Sequence, residues 1–327
     1  MSETVPTLRE ELLPSFDAPG DSPYTWLRDM AGTLRDHLLV HGAVLVHGLP
    51  MDGPDSVATA REALGIARHT PTEAFNDRGD FGDGVLSPIT WPGERMLCPF
   101  QEGSFSRTFP SVVLTACLTP PDGDGRTHLS DARRLLDHLP APLAERVRTM
   151  GWTLARTFHE GFGITWRKAF SVPDRAALEK LFEAAGISAE WLPGGTLYTV
   201  RRRPGVVDHP VTGEECWFNQ ISFLNAGNLD PAERAIMVKA FGTYLPMNTY
   251  FGDGSPFSDD DLAAILHAYD SVRTDVAWRR GDLLITDNII MAQGRSAFEG
   301  TPEFLVALGE DQSPRPGSRG REPEGDR

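Results

Sequence analysis

Cysteine is scarce in this 327-residue chain: Cys98, Cys117 and Cys216 stand far apart, and none belongs to a C-x-x-C pair. A disulfide framework and a thiolate zinc site are both excluded, and a reduced, cytoplasmic setting is expected. Long apolar runs are missing as well. Nothing approaches the roughly 18 apolar residues of a membrane span, and no basic start followed by an apolar run marks an export signal. Positive charge is in deficit, with 31 Lys and Arg against 46 Asp and Glu and a formal net charge of −15. Nucleic acid and anionic membrane surfaces are therefore poor partners. The notable basic cluster, Arg201-Arg202-Arg203, reads first as a solvated strand end or turn and second as a guanidinium fork for a substrate carboxylate. The nine histidines also lack the right neighbours, since none is followed two residues later by Asp or Glu. That spacing is what sets an imidazole and a carboxylate on one face of a strand.

What is present is a chain 40% hydrophobic, long enough for one large β-barrel domain with helices packed on it. A single domain is expected over residues 21–310, with a loose arm at 1–20 and a disordered, Pro-, Gly- and Arg-rich tail at 311–327. Helical spacing of Leu27, Met30, Leu34 and Leu38 predicts an amphipathic helix over 24–39, and further helices are expected at 56–68, 132–139, 174–185, 231–244 and 259–269. Apolar runs predict strands at 42–46, 111–118, 147–158, 283–285 and 304–308, and Thr127 to Asp131 is read as leading into a helix. From 76 to 97 the composition turns to Gly, Asp and Pro, with F-N-D-R-G-D-F-G-D-G at its centre. An irregular segment of this length predicts a lid.

The stretch from Trp278 to Leu308 carries the strongest pattern: W-R-R-G-D-L-L-I-T-D-N, then Q-G-R. With G-A-V-L-V-H-G at 42–48, G-R-T-H-L-S-D at 125–131, W-F-N-Q at 217–220 and Y-F-G-D-G-S-P at 250–256, it resembles the TauD/TfdA-like iron(II) and 2-oxoglutarate oxygenases along most of its length. The resemblance implies a mainly β fold with flanking helices, a double-stranded β-helix or cupin-like jelly roll. It also implies where the cofactors of such enzymes would sit, and there the chain departs from the pattern. Gln293 stands where the family has its distal His, and Phe100-Gln101-Glu102 stands where it has H-x-E or H-x-D. The family's 2-oxoglutarate-binding Arg, expected near Pro302, is absent, and no Arg occurs from Ser296 to Pro314.

A phenyl ring cannot bind a metal, a neutral amide binds one weakly, and one carboxylate will not hold iron tightly. The expectation is therefore a barrel without metal and without cofactors, catalysing a non-oxidative step (cyclisation, elimination, isomerisation or addition) on a small-molecule or carrier-bound intermediate of specialised-metabolite biosynthesis. Two alternatives stand beside it. One is an iron(II)/2-oxoglutarate oxygenase with unusual ligands drawn from Glu102, Gln293 and His128 or His159; the other is a non-catalytic ligand-binding protein. The candidate catalytic groups are Glu102, Gln293 and Arg295. Glu102 is read either as a general acid/base or as the ion-pair partner of a buried Arg such as Arg295. Strand parity puts Cys98, Phe100 and Glu102 on one face, with Cys98 a small buried apolar residue rather than a nucleophile. Thr127, at the position whose family counterpart contacts 2-oxoglutarate, is a candidate for a substrate or anion, and Trp217, Asn219 and His159 complete the expected pocket wall.

Overall fold

The computed structural model describes residues 13–314. Its frame is two sheets face to face. The larger has six strands, in the order Ser15–Asp17, Ala43–His47, Leu283–Asp287, Phe109–Thr119, Glu303–Gln312 and Val85–Leu86. The smaller has four, ordered Arg273–Ala277, Arg126–Asp131, Met291–Arg295 and Leu97–Phe100. Alternation along each strand decides what lies between them. Ala43, Leu45 and Leu284 turn inward to meet Leu129, Val276 and Ala292 of the smaller sheet, whereas Val44, Val46, Leu283 and Ile285 turn outward. The outward set is covered by the helices Pro23–His41 and Pro54–Ala63, through Leu27, Leu34, Leu38 and Val57. Burying side chains of that size stabilises the fold by about 1.5–3 kcal/mol each, so the same strands hold both layers.

A second four-stranded sheet, Met247–Phe251, Trp152–Phe158, Leu197–Arg203 and Ser188–Trp191, extends the molecule and carries the helices Trp166–Phe170 and Arg175–Ala185 on its own small core. No helix of the described residues is long and apolar enough to cross a membrane.

Several expectations are corrected. Residues 126–131, read as the lead into a helix, form a full strand; the helix itself starts at Ala132 as expected, where Asp131 caps it by accepting from the Arg133 amide at 3.0 Å. The helix expected at 56–68 spans Pro54–Ala63, and Val147 belongs to a helix, Ala141–Met150, before the strand Trp152–Phe158. Of the arm placed at 1–20, Ser15–Asp17 pairs in parallel with Leu45–His47, and residues 1–12 lie outside the described ones. Of the tail placed at 311–327, Asp311 and Gln312 finish a ten-residue strand, and Asp311 bonds His69 at 2.6 Å. Residues 315–327 lie outside the described ones.

Candidate active site

A cavity of about 630 Å3 lies at the open end of the two sheets. Phe100, Gln293 and Thr127 reach it from the smaller sheet; Val113, Thr115 and Leu305 come from the larger. Trp278, Phe298 and Phe304 wall one side, and Arg78, Phe81, Ile89 and Trp91, all from the irregular 76–97 segment, wall the other.

The register places the central pair. Gln293 is the direct cross-strand partner of Phe100, and its amide Nε2 donates to the Thr286 hydroxyl of the opposite sheet, tying the two sheets together beneath the cavity. A bulge follows at once: Arg295 pairs with Leu97, so two steps on one strand match three on the other. Gly294 sits inside it because a Cβ there would lie 2.5 Å from the Leu97 carbonyl oxygen. This bulge overturns the expected parity. Leu97 and Phe100 line the cavity, and Cys98 does not. Its thiol is instead sunk beside Tyr269, and burial pushes its pKa up to about 12.

Glu102 lies beyond the strand, in a turn, and still reaches the cavity. Asn288, almost fully buried, holds it there. The Asn288 Oδ1 accepts from the Glu102 amide at 2.8 Å, and its Nδ2 donates to the carbonyls of Glu102 and Pro110 at 2.8 and 2.7 Å. The carboxylate is not alone: Arg78 Nη1 donates to Glu102 Oε1 at 2.8 Å, and Arg78 Nε is fixed on the Ser87 carbonyl at 2.7 Å. The partner anticipated for Glu102, Arg295, is occupied elsewhere. Its guanidinium donates to the carbonyls of Trp91, Pro92 and Arg95 at 2.9–3.0 Å and lies over the Phe298 ring. Arg295 thus fastens the cavity-covering segment rather than presenting a catalytic cation.

Thr127 lines the cavity as expected, with its hydroxyl accepting from Trp278 Nε1 at 3.0 Å. Phe100 does too, its ring stacked on Phe223 at 4.6 Å between centroids. The W-F-N-Q segment contributes differently from the expectation. Trp217 is wholly buried in the core, where its carbonyl accepts from Gln101 Nε2 at 2.6 Å. Asn219 is spent on the backbone of Gly205 and Ile221. Phe223, three residues after the motif, is what backs the site. His159 lies off the cavity, against the Phe241 ring and the Tyr244 carbonyl. The basic cluster does end a strand, Leu197–Arg203, but of the three only Arg202 is exposed, and the carboxylate that Arg201 forks is the protein's own Glu73 rather than a substrate's. Arg201 is buried on Glu73, Arg203 donates to the carbonyls of Phe105 and Ala185, and Arg202 donates to that of Met150.

The larger and smaller sheets with a cavity at their open end define a double-stranded β-helix of the oxygenase type. The chain belongs to the family described as taurine catabolism dioxygenase TauD, TfdA family, whose profile matches residues 7–308. It is 26% identical over 268 residues to the dapdiamide synthesis protein DdaC of Enterobacter agglomerans, covering 82% of each chain. It is 24% identical over 278 residues to a clavaminate synthase-like protein of Arabidopsis thaliana, covering 82% of this chain and 81% of that one. Among solved structures, its fold is similar to that of a taurine dioxygenase from Burkholderia xenovorans, at a TM-score of 0.53 and 15% identity over 96% of this chain and 92% of that one. It is also similar to the PvcB protein from Pseudomonas aeruginosa, at 0.52 and 16% over 94% of each.

Family membership corrects one expectation outright. The chain was expected to use no cofactor; its family is one of dioxygenases, and that assignment points to iron(II) and 2-oxoglutarate. The usual ligand triad is nonetheless not what the cavity presents. Of the residues that the sequence resemblance set at the ligand positions, Glu102 offers a carboxylate and Gln293 an amide, and the Phe100 ring has no donor atom. Among the described residues, no group of three His, Cys, Asp or Glu side chains gathers to hold a metal. His128, considered as a substitute ligand, is turned to Asp275 at 2.8 Å.

Proposed function

We propose that this chain is a small-molecule-converting enzyme of the TauD/TfdA dioxygenase family. Its substrate would be a free or carrier-bound intermediate of specialised-metabolite biosynthesis, and it would work in the cavity between the sheets with an atypical set of groups at the family's ligand positions. The observation that carries the reading is that cavity: about 630 Å3, within the range of ligand sites, and lined by Phe100, Glu102, Thr127 and Gln293. The dapdiamide synthesis protein among its relatives supports the biosynthetic context. The wall of Phe81, Trp91, Phe100, Trp278, Phe298 and Phe304 suits an apolar or aromatic substrate, which would keep water away from the Glu102 carboxylate. Glu102, with one oxygen held by Arg78, has the other to take or give a proton. Gln293 and Thr127 supply hydrogen-bonding groups on adjacent strands of the smaller sheet.

Within this reading, oxidation comes first, because the family profile spans nearly the whole chain. A non-oxidative conversion of the same intermediate is the second reading, favoured by Phe100 and Gln293 at ligand positions. One experiment separates them. The protein is loaded anaerobically with iron(II), its bound metal is measured, and product and succinate are followed with and without oxygen. Bound iron with succinate released in step with product supports the first reading. Product formed equally without oxygen supports the second. No conversion of any pathway intermediate, together with no binding to the cavity, sinks both.

A further inference from the structure

Another cavity, of about 490 Å3, lies against the second four-stranded sheet and shares no lining residue with the first. Arg107, Arg202 and Arg203 line it, in a chain whose formal net charge is −15. Elsewhere arginines such as Arg35, Arg95 and Arg133 meet carboxylates. Arg107 and Arg202 meet none among the described residues and are held by carbonyls instead. Arg107 Nη1 donates to Ala184 at 3.0 Å, and Arg202 Nε donates to Met150 at 2.7 Å. Each guanidinium also lies on a glycine: a Cβ at Gly186 would come 2.5 Å from Arg107 Nη2, and one at Gly252 would come 2.7 Å from Arg202 Nε. The backbone thus fixes both groups and leaves each with an open edge, Nε–Nη2 on Arg107 and Nη1–Nη2 on Arg202. Thr153 stands directly across the strand pair from Arg202. It is only 8% exposed, lines the same cavity, and its hydroxyl has no partner among the described residues. The carboxylate in the lining, Asp253, is already spent, accepting from Ser255 and, at 3.1 Å, from Arg146.

We infer that this cavity binds a phosphate group, Arg107 and Arg202 each forking onto its oxygens by their open edges and Thr153 adding its hydroxyl. Such edges match oxyanions bidentately. A carboxylate is the poorer fit, because two forks take up its roughly four lone-pair positions and leave none for Thr153. A phosphate, with three terminal oxygens in its esters, serves all three groups. The uncompensated charge at this one place would draw an anion that the rest of the chain repels. The cavity is also far larger than phosphate alone, so it has room for the small molecule to which the phosphate is attached.

Titration calorimetry of the full chain in phosphate-free buffer tests it, with inorganic phosphate, glycerol 3-phosphate, glycerol and acetate as probes. Both phosphates are expected to bind once per chain, acetate at least about tenfold more weakly, and glycerol not at all. Glycerol 3-phosphate binding tighter than inorganic phosphate assigns the site to an ester; equal affinities assign it to the free ion. Arg107→Gln and Arg202→Gln are each expected to raise the phosphate dissociation constant at least about tenfold, and Arg202→Lys to raise it less. Arg35→Gln, at an exposed arginine paired with Glu310, leaves it unchanged. Circular dichroism melts check that the variants fold. Acetate binding as tightly as phosphate overturns the inference. So does a native chain that binds neither phosphate, or folded Arg107→Gln and Arg202→Gln variants that keep the native affinity.

Discussion

Two carboxylate–arginine assemblies lie close in this molecule and are built to different ends. Glu73 is sealed in the interior between Arg156 and Arg201: its Oε1 accepts from Arg156 at 2.6 Å and from Arg201 at 3.0 Å, and its Oε2 accepts from Arg201 again. All three side chains are under 5% exposed. Glu102 shares only one oxygen with one arginine, and its side chain keeps 19% exposure toward the cavity. Both oxygens of the first are consumed in joining 73–75 to the second sheet; the second retains an oxygen for chemistry. The contrast teaches that a carboxylate beside an arginine is not in itself a site. What matters is whether any bonding capacity remains and whether it faces space.

The contrast can be broken most forcefully at Glu73. Glu73→Gln leaves two guanidinium groups buried without a counter-charge, and a loss of about 3–5 kcal/mol is expected in chemical denaturation. The same residue sets an acid limit. Burial alone would raise its pKa, but Arg201 and Arg156 outweigh this and hold it below the usual carboxylate range. A depressed folded pKa means stability that is complete above the unfolded value, near 4.5, and is lost as pH falls through the lower folded one. Denaturation midpoints should therefore drop below that pH in the native chain and drop less in Glu73→Gln.

Glu102→Gln should act the other way round. A fall of about a hundredfold in kcat/KM is expected, with stability changed by about 1 kcal/mol or less. Equal losses of stability at the two positions would erase the distinction. A smaller effect is expected from Arg295→Lys. A lysine cannot fork to the carbonyls of residues 91–95, so KM should rise several-fold and protease should cut sooner within 76–97, with kcat little changed. The smallest effect concerns the thiols. Burial pushes Cys98 and Cys117 each up to about 12 and Cys216 higher still, so none should react with a thiol reagent at neutral pH until the protein unfolds.

Much of the frame was legible. Apolar runs located the strands at 43–47, 109–119, 283–287 and 303–312, because that signal depends on neighbours in sequence. The site was legible where resemblance fixed a position: Phe100, Glu102, Thr127 and Gln293 all reach the cavity. It failed where geometry depends on distant chain. Parity misled at Cys98 because a bulge, enforced by the close approach at Gly294, shifts the face by one residue. Arg78 could not be found as the partner of Glu102, since it sits in a segment with no periodicity to aim its side chain. Trp217 and Asn219 matched a motif whose side chains here serve the core, and the ring that backs the cavity, Phe223, lies just past it.

The pairing of Phe100 with Gln293 carries a consequence for the redesign of the molecule. Directly opposed residues on adjacent antiparallel strands have their Cβ atoms about 5 Å apart, and Glu102 is anchored next to them by Asn288. Phe100→His with Gln293→His would therefore set two imidazoles side by side next to an acid already in place. An iron-loading experiment with that double variant can therefore start from the native backbone.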